Sequence, residues 1–258
     1  MTGARLLRGV AGVAGFLAVG ELVLRFGLAE GLLFPAPSIV LREAAFLLVD
    51  GDFLAGVAAT LTNWALGLLI AIVIAVPLGV LLGALAPVER AIRPVLEFLR
   101  PIPSVAIIPL AILLIPVDEL MKVSVIGYAS VWPILLNTLY GMHDVDPMAK
   151  ESLRSFGFGP LAVLVRVSLP AAAPFVATGV RIATGIALVL AVSAELVAGG
   201  VAGIGVYVNV ASSGNRTDLM MAATCWAGVL GVVANLGLLA AERRLFRWHH
   251  VRVGASGT

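Results

Sequence analysis

Apolar runs of membrane-spanning length alternate along this chain with short clusters of charge. A helix needs about 20 apolar residues to cross a bilayer. The first such run, Leu6 to Phe26, carries Glu21 and Arg25 four residues apart on one face near its far end, where pairing and snorkelling lower their cost. No clean cleavage site follows, so the run reads as a retained span. Next come a turn, Phe34-Pro35-Ala36-Pro37-Ser38, and an amphipathic segment. Between Asp52 and Glu89 lie 36 residues without a charge, too many for one perpendicular helix and too few for two spans and a turn. One tilted span over Ala58 to Ala86, after an interfacial approach, is predicted there. Only 17 residues separate Arg100 from Asp118, with prolines at 101, 103, 109 and 116. Proline removes a backbone donor and clashes with the preceding turn, so the third span is predicted short and kinked near Pro109. Spans four to six are predicted at Val123 to Tyr140, Pro174 to Val197 and Leu219 to Ala241.

Composition agrees with this pattern. Of 258 residues, 60% are hydrophobic and 12% charged, against roughly 25% charged in a soluble domain, and the mean hydropathy is +1.07. A soluble fold is excluded, and the uninterrupted apolar runs do not fit the alternating strands of a membrane barrel. The net charge of +2 includes no basic block that would mark a nucleic-acid partner. The single cysteine, Cys225, excludes an internal disulfide and a cysteine-based metal cluster; a small apolar role inside a helix is expected for it. With the N-terminus inside, twelve of the 17 lysines and arginines fall in cytoplasmic segments. Six spans with both termini inside then satisfy the positive-inside rule. The expected architecture is an all-α membrane protein: residues 1–57 a first span and external amphipathic connection, 58–241 a core of five spans, and 242–258 a basic cytoplasmic tail.

Catalysis finds no support. His143, His249 and His250 fall in an inner loop or the tail, leaving an intramembrane serine without a base. There is no H-E-x-x-H pair for zinc, and neither Lys122 nor Lys150 follows a glycine, so there is no P-loop. Energised work would need a partner's energy. The inner loop DVDPMAKESLRSFGFGPLAVLVRVSLPAAAPF is more informative. Asp146-Pro147 is an N-cap followed by a residue that needs no partner for its nitrogen. The helix it starts is predicted to stop at Gly157, a left-handed C-cap. Gly159-Pro160 starts a second short helix that Pro170 is predicted to terminate. The product is a compact knob in which Glu151, Arg154 and Ser155 alternate with Met148, Leu153 and Phe156, the pattern of a helix laid into a partner's groove.

On these residues the chain resembles the membrane permease subunits of bacterial ABC importers, whose inner loop reads E-A-A, three residues, G, nine residues, I-x-L-P. Here Glu151 takes the acidic place, Gly157 follows at the required spacing, and Val167-Ser168-Leu169-Pro170 come after nine more residues. Ser152, Leu153 and Val167 depart from the consensus. The segments FLRPIPSVAIIPLAIL, WPILLNT, VDP, LPAAAPFVATGVRIA and RTDL are similar to one branch, the permeases of nitrate, taurine, aliphatic sulfonate and related pyrimidine-precursor importers. The likeness covers Pro35 to Trp248, with a departure at ILLIPVDELMK, where the family carries a glycine-containing turn.

The resemblance implies an ABC importer type I permease in a bacterial cytoplasmic membrane. Two copies pair as a homodimer, and each knob docks on an ATP-binding subunit through Glu151, Arg154, Ser155, Phe156, Gly157, Leu169 and Pro170. ATP and magnesium sit on that partner, with no cofactor in this chain, and an external substrate-binding protein delivers a small anion such as a sulfonate, taurine or nitrate. A pyrimidine-type vitamin precursor is the alternative within the branch, and a stand-alone secondary transporter the alternative outside it.

Polar residues inside the spans are candidate pathway groups, because a charge at the bilayer centre costs about 2.5 to 3.5 kcal/mol on insertion scales. Arg181 and Glu195 are 14 residues apart on one face of span five, about 21 Å by helical rise, and cannot pair with each other. They line a pathway or dimer seam, or each snorkels to its own interface. In the outer loop, Arg216 with Ser212, Ser213 and Asn215 suits an anion, while Arg216 can equally pair with Asp218. Pro109 is a further pathway candidate as an interruption in a short span. Trp132, Tyr140, Trp226 and Trp248 are expected to pack or anchor.

Overall fold

The computed structural model describes residues 2–25 and 34–245. Among them the chain forms α1 (Thr2–Arg25), α2 (Pro37–Phe46), α3 (Gly51–Ala84), α4 (Ala86–Leu99), α5 (Ile108–Leu114), α6 (Asp118–His143), α7 (Pro147–Ser155), α8 (Pro160–Val163), α9 (Leu169–Ala198), α10 (Ile204–Ser213) and α11 (Thr217–Leu245). Leu7–Arg25, Gly51–Ala84, Asp118–His143, Pro160–Ala198 and Thr217–Glu242 are long and apolar enough to cross a membrane. Ala86–Leu99 and Ser104–Leu114 meet the same length and apolarity together but are bent by 79° to each other, the geometry of a broken span or a re-entrant loop, so the described residues give five crossings, or six if that pair is one span.

The core is α3, α6 and α9, and glycines set how closely they approach. A Cβ added at Gly67 would meet Ile126 Cγ2 at 2.5 Å, and one at Gly79 would meet Thr138 Cβ at 2.7 Å. One at Gly83 would strike Met142. The offset is 59 residues each time, so α3 and α6 run parallel and in register along a seam whose lower part is a Gly79-xxx-Gly83 step. Such close approach replaces the hydrophobic driving force that lipid does not supply. On the other side of α6, Cβ atoms at Gly141 and Gly179 would meet Phe175 and Asn137, the pairing of antiparallel helices. Ile126, Ile134, Leu135, Ala183, Ala187 and Ala191 fill the interior between them. In contrast, α1 keeps its apolar side chains outward, Leu7 and Phe16 being among the exposed ones. It is held to the start of α2 by Glu21, which pairs with Arg25 at 2.5 Å and accepts from Ser38.

Several expectations need correction. The third span is not one helix kinked at Pro109. Its break lies at Arg100–Pro103, where α4 ends and Pro103 is extended, followed by a 3-10 turn at Ser104–Ile107. Pro109 instead occupies the first turn of α5, where a missing N–H leaves nothing unsatisfied. Nor does Pro170 terminate the second loop helix. A π turn at Leu164–Ser168 joins α8 to α9, and Pro170 falls in the first turn of α9. The widened turn makes room for the proline ring that an α turn would drive into the carbonyl four residues back. The second span begins at Gly51, so the boundary expected at residue 58 falls inside α3. Lys122, counted in an outer segment, is a buried residue of α6. Trp248, His249, His250 and most of the basic tail lie outside the described residues.

Candidate functional site

The knob is built by local capping. Asp146 accepts the Met148 N–H at 2.8 Å and Pro147 opens α7. At the far end Gly157 takes φ +83°. The Phe158 N–H then reaches the Leu153 carbonyl (3.2 Å) and the Gly157 N–H the Arg154 carbonyl (2.9 Å), the paired bonds of a Schellman stop. The chain reverses into α8, and Arg166 lies over the Phe158 ring at 4.8 Å. Glu151, Arg154, Ser155, Phe156 and Gly157 are all exposed, as is Pro170, with Leu169 half-buried. Large apolar side chains stand in solvent here, among them Met148 at 72% exposure, Phe156 at 79% and Leu161 at 71%. A rigid, capped helix with unburied apolar residues is a surface shaped for a groove.

The residues proposed for a pathway are not gathered in one place. Arg181, half-buried on α9, pairs with Glu242 of α11 at 3.3 Å. Arg216 grips Asp218 with two N–H groups, at 3.0 and 2.9 Å, and that carboxylate holds the guanidinium pKa above its ordinary value. Ser212, Ser213 and Asn215 are exposed at the end of α10 beside it, with Asn215 at φ 55°. Pro109 is exposed on α5, on a different element. Trp226 donates to the Ala44 carbonyl at 2.8 Å, Trp132 meets Tyr128 edge-on, and Tyr140 is exposed.

Glu195 is fully buried near the end of α9 opposite the knob. Its carboxylate accepts from Thr60 Oγ1 of α3 at 2.8 Å and from the Gly205 N–H of α10 at 2.9 Å. The Ile204 N–H donates to the same Thr60 oxygen at 2.9 Å. Gly203 packs so tightly that a Cβ would strike the Glu195 carboxylate. Next to it Lys122, also buried, pairs with Asp118 at 2.7 Å under Gly200. Sequence reasoning missed Thr60 and Lys122. A lone hydroxyl in an uncharged run gives no periodic signal, whereas the Asp118/Lys122 spacing of four was a legible helix pair.

The sequence model of the family described as binding-protein-dependent transport system inner membrane component matches residues 67–247. The chain belongs to this family. A probable ABC transporter permease of Brucella melitensis is 33% identical over 217 residues, covering 84% of this chain and 88% of that one. The taurine transport system permease of Escherichia coli is 30% identical over 242 residues, covering 92% and 88%. The crystal structure of a bacterial ABC transporter involved in the import of the acidic polysaccharide alginate overlays with a TM-score of 0.65, covering 94% of this chain and 95% of that one at 17% identity. The protein is thus an ABC importer permease with the type I fold, and the matched region of the permease contains the knob and Glu195, while Thr60 lies just before it.

Proposed function

We infer that two copies of this permease form the pathway of an ATP-driven importer in a bacterial cytoplasmic membrane, with both termini inside. Each knob docks on a cytoplasmic ATPase that holds ATP and magnesium. An external binding protein delivers a small anion such as taurine, a sulfonate or nitrate. The observation that carries this reading is the knob, with its two caps and the exposed Met148 and Phe156. Support for the substrate class comes from the taurine permease relative.

Closure of the ATPase on ATP would move the knobs together, and the spans would follow as rigid bodies between inward-open and outward-open states. The ATPase supplies the differential binding energy, and this chain supplies the two states. Co-purification with a candidate ATPase tests the docking. Glu151→Lys reverses the exposed charge on α7, and Gly157→Val removes the left-handed stop. Both variants are expected to insert normally and to lose the ATPase; retention of the ATPase and of uptake by both would contradict the assignment.

A further inference from the structure

α10 begins without a cap of its own: Gly203 precedes it and offers no side chain. The first amide donors of a helix have no partner inside it, and here two of them are served from other helices. Ile204 gives its N–H to Thr60 of α3, and Gly205 gives its N–H to Glu195 of α9. Thr60 has one proton, and its oxygen lies 2.8 Å from Glu195 Oε1 and 3.1 Å from the Gly56 carbonyl. It donates to the carboxylate and accepts from Ile204, so α3, α9 and α10 meet in one buried network. A carboxylate at a helix N-terminus also complements the helix dipole.

The same α9 runs back without a break to the knob. Helical structure is continuous over Pro160–Ala198, and Leu169 to Glu195 alone spans about 39 Å by helical rise. At the far end the turn Gly199–Gly203 carries Val201, fully exposed at its tip. Gly199, Gly200 and Gly203 all have φ between +73° and +152°, and Asp118 and Lys122 close on Gly200 from beneath. The turn is therefore held from two sides and has little freedom to move independently of α9.

We propose that Glu195 is a positioning residue that makes α10 and its turn follow α9, so that movement of the knob is delivered to the opposite mouth of the protein. This rests on the functional reading above. A merely stabilising residue would, when changed, lower the amount of folded protein and leave the work of each folded complex intact. A transmitting residue, when changed, separates ATP hydrolysis from movement at the mouth.

The test uses the permease assembled with its ATPase in lipid nanodiscs, with Cys225→Ser and a spin label at Val201→Cys. The distance between the labels of the two copies is read with and without ATP and vanadate, beside uptake per ATP hydrolysed in vesicles. In the parent complex the distance shifts on trapping. Glu195→Ala is expected to keep hydrolysis within about twofold, to lose the shift, and to lower uptake per ATP about tenfold, the order expected from orphaning buried donors. Glu195→Gln restores both readouts, because its amide oxygen accepts from Gly205 while its NH2 donates to Thr60, which turns its proton to Gly56. Should Glu195→Ala fail to assemble, Thr60→Val against Thr60→Ser carries the same contrast. A normal shift and uptake in Glu195→Ala or Thr60→Val overturns the proposal, as does damage in Glu195→Gln equal to that in Glu195→Ala. A parent complex that shows neither uptake nor shift overturns the functional reading and the proposal with it.

Discussion

At Gly157 the backbone takes φ +83°, and a Cβ there would meet nothing within 4 Å. Space is therefore not what requires glycine; backbone conformation is. Placing an L side chain in the left-handed region costs about 1 to 2 kcal/mol. Gly157→Ala should loosen the Schellman stop through its own backbone, without striking any other part of the protein. The expected outcome is roughly fivefold faster hydrogen exchange at the Gly157 and Phe158 amides, corresponding to about 1 kcal/mol of lost local stability. Unchanged exchange would show that α8, not the cap, fixes the knob. Asp146, Pro147 and Gly157 were all legible in the sequence as a helix start and stop, because capping depends on a few adjacent residues. Thr60 and Glu195 were not legible as a pair. Their contact joins residues 135 apart, and nothing local in either segment specifies it.

Among elements, the parallel α3–α6 seam sets the shape of the core, and its register is written in glycines. Gly79→Leu would force a side chain against Thr138, where a Cβ already lies 2.7 Å from the neighbouring Cβ. Overpacking of that kind costs about 1 to 3 kcal/mol, and should lower the thermal midpoint in detergent by about 2 to 8 °C. Gly12→Leu in α1 should leave the midpoint unchanged, since a Cβ at Gly12 meets nothing within 4 Å; equal losses would mean the seam is not the stabilising contact. Apolar run length located the long helices well, because lipid imposes that length on any span. The third span was misjudged for a physical reason. Pro101 and Pro103 break the chain between α4 and α5, whereas Pro109 sits where a helix tolerates proline, and sequence alone does not distinguish a breaking proline from a starting one.

Across the whole molecule charge is scarce, and two groups of it lie toward opposite ends of the core. The knob presents Glu151 and Arg154 to solvent at one end, and toward the other end lie Glu195, buried against Thr60 and Gly205, and the buried Lys122 paired with a part-exposed Asp118. Between them the Gly157 stop separates α7 from α8, and helical structure then continues through the π turn into α9 over Pro160–Ala198. The five long helices and the family were readable from hydropathy and the loop spacing; the buried contacts of Thr60 with Glu195 and Ile204 were not, because they join residues far apart in the sequence. The proposed function requires this permease to move its substrate on energy received at the knob. The most direct measurement is uptake of labelled taurine into vesicles holding the permease and its ATPase, with ATP on the knob side and the binding protein on the other. Accumulation is predicted only when both are present, and Glu151→Lys should abolish it. Accumulation without ATP, driven by an ion gradient, would contradict the account.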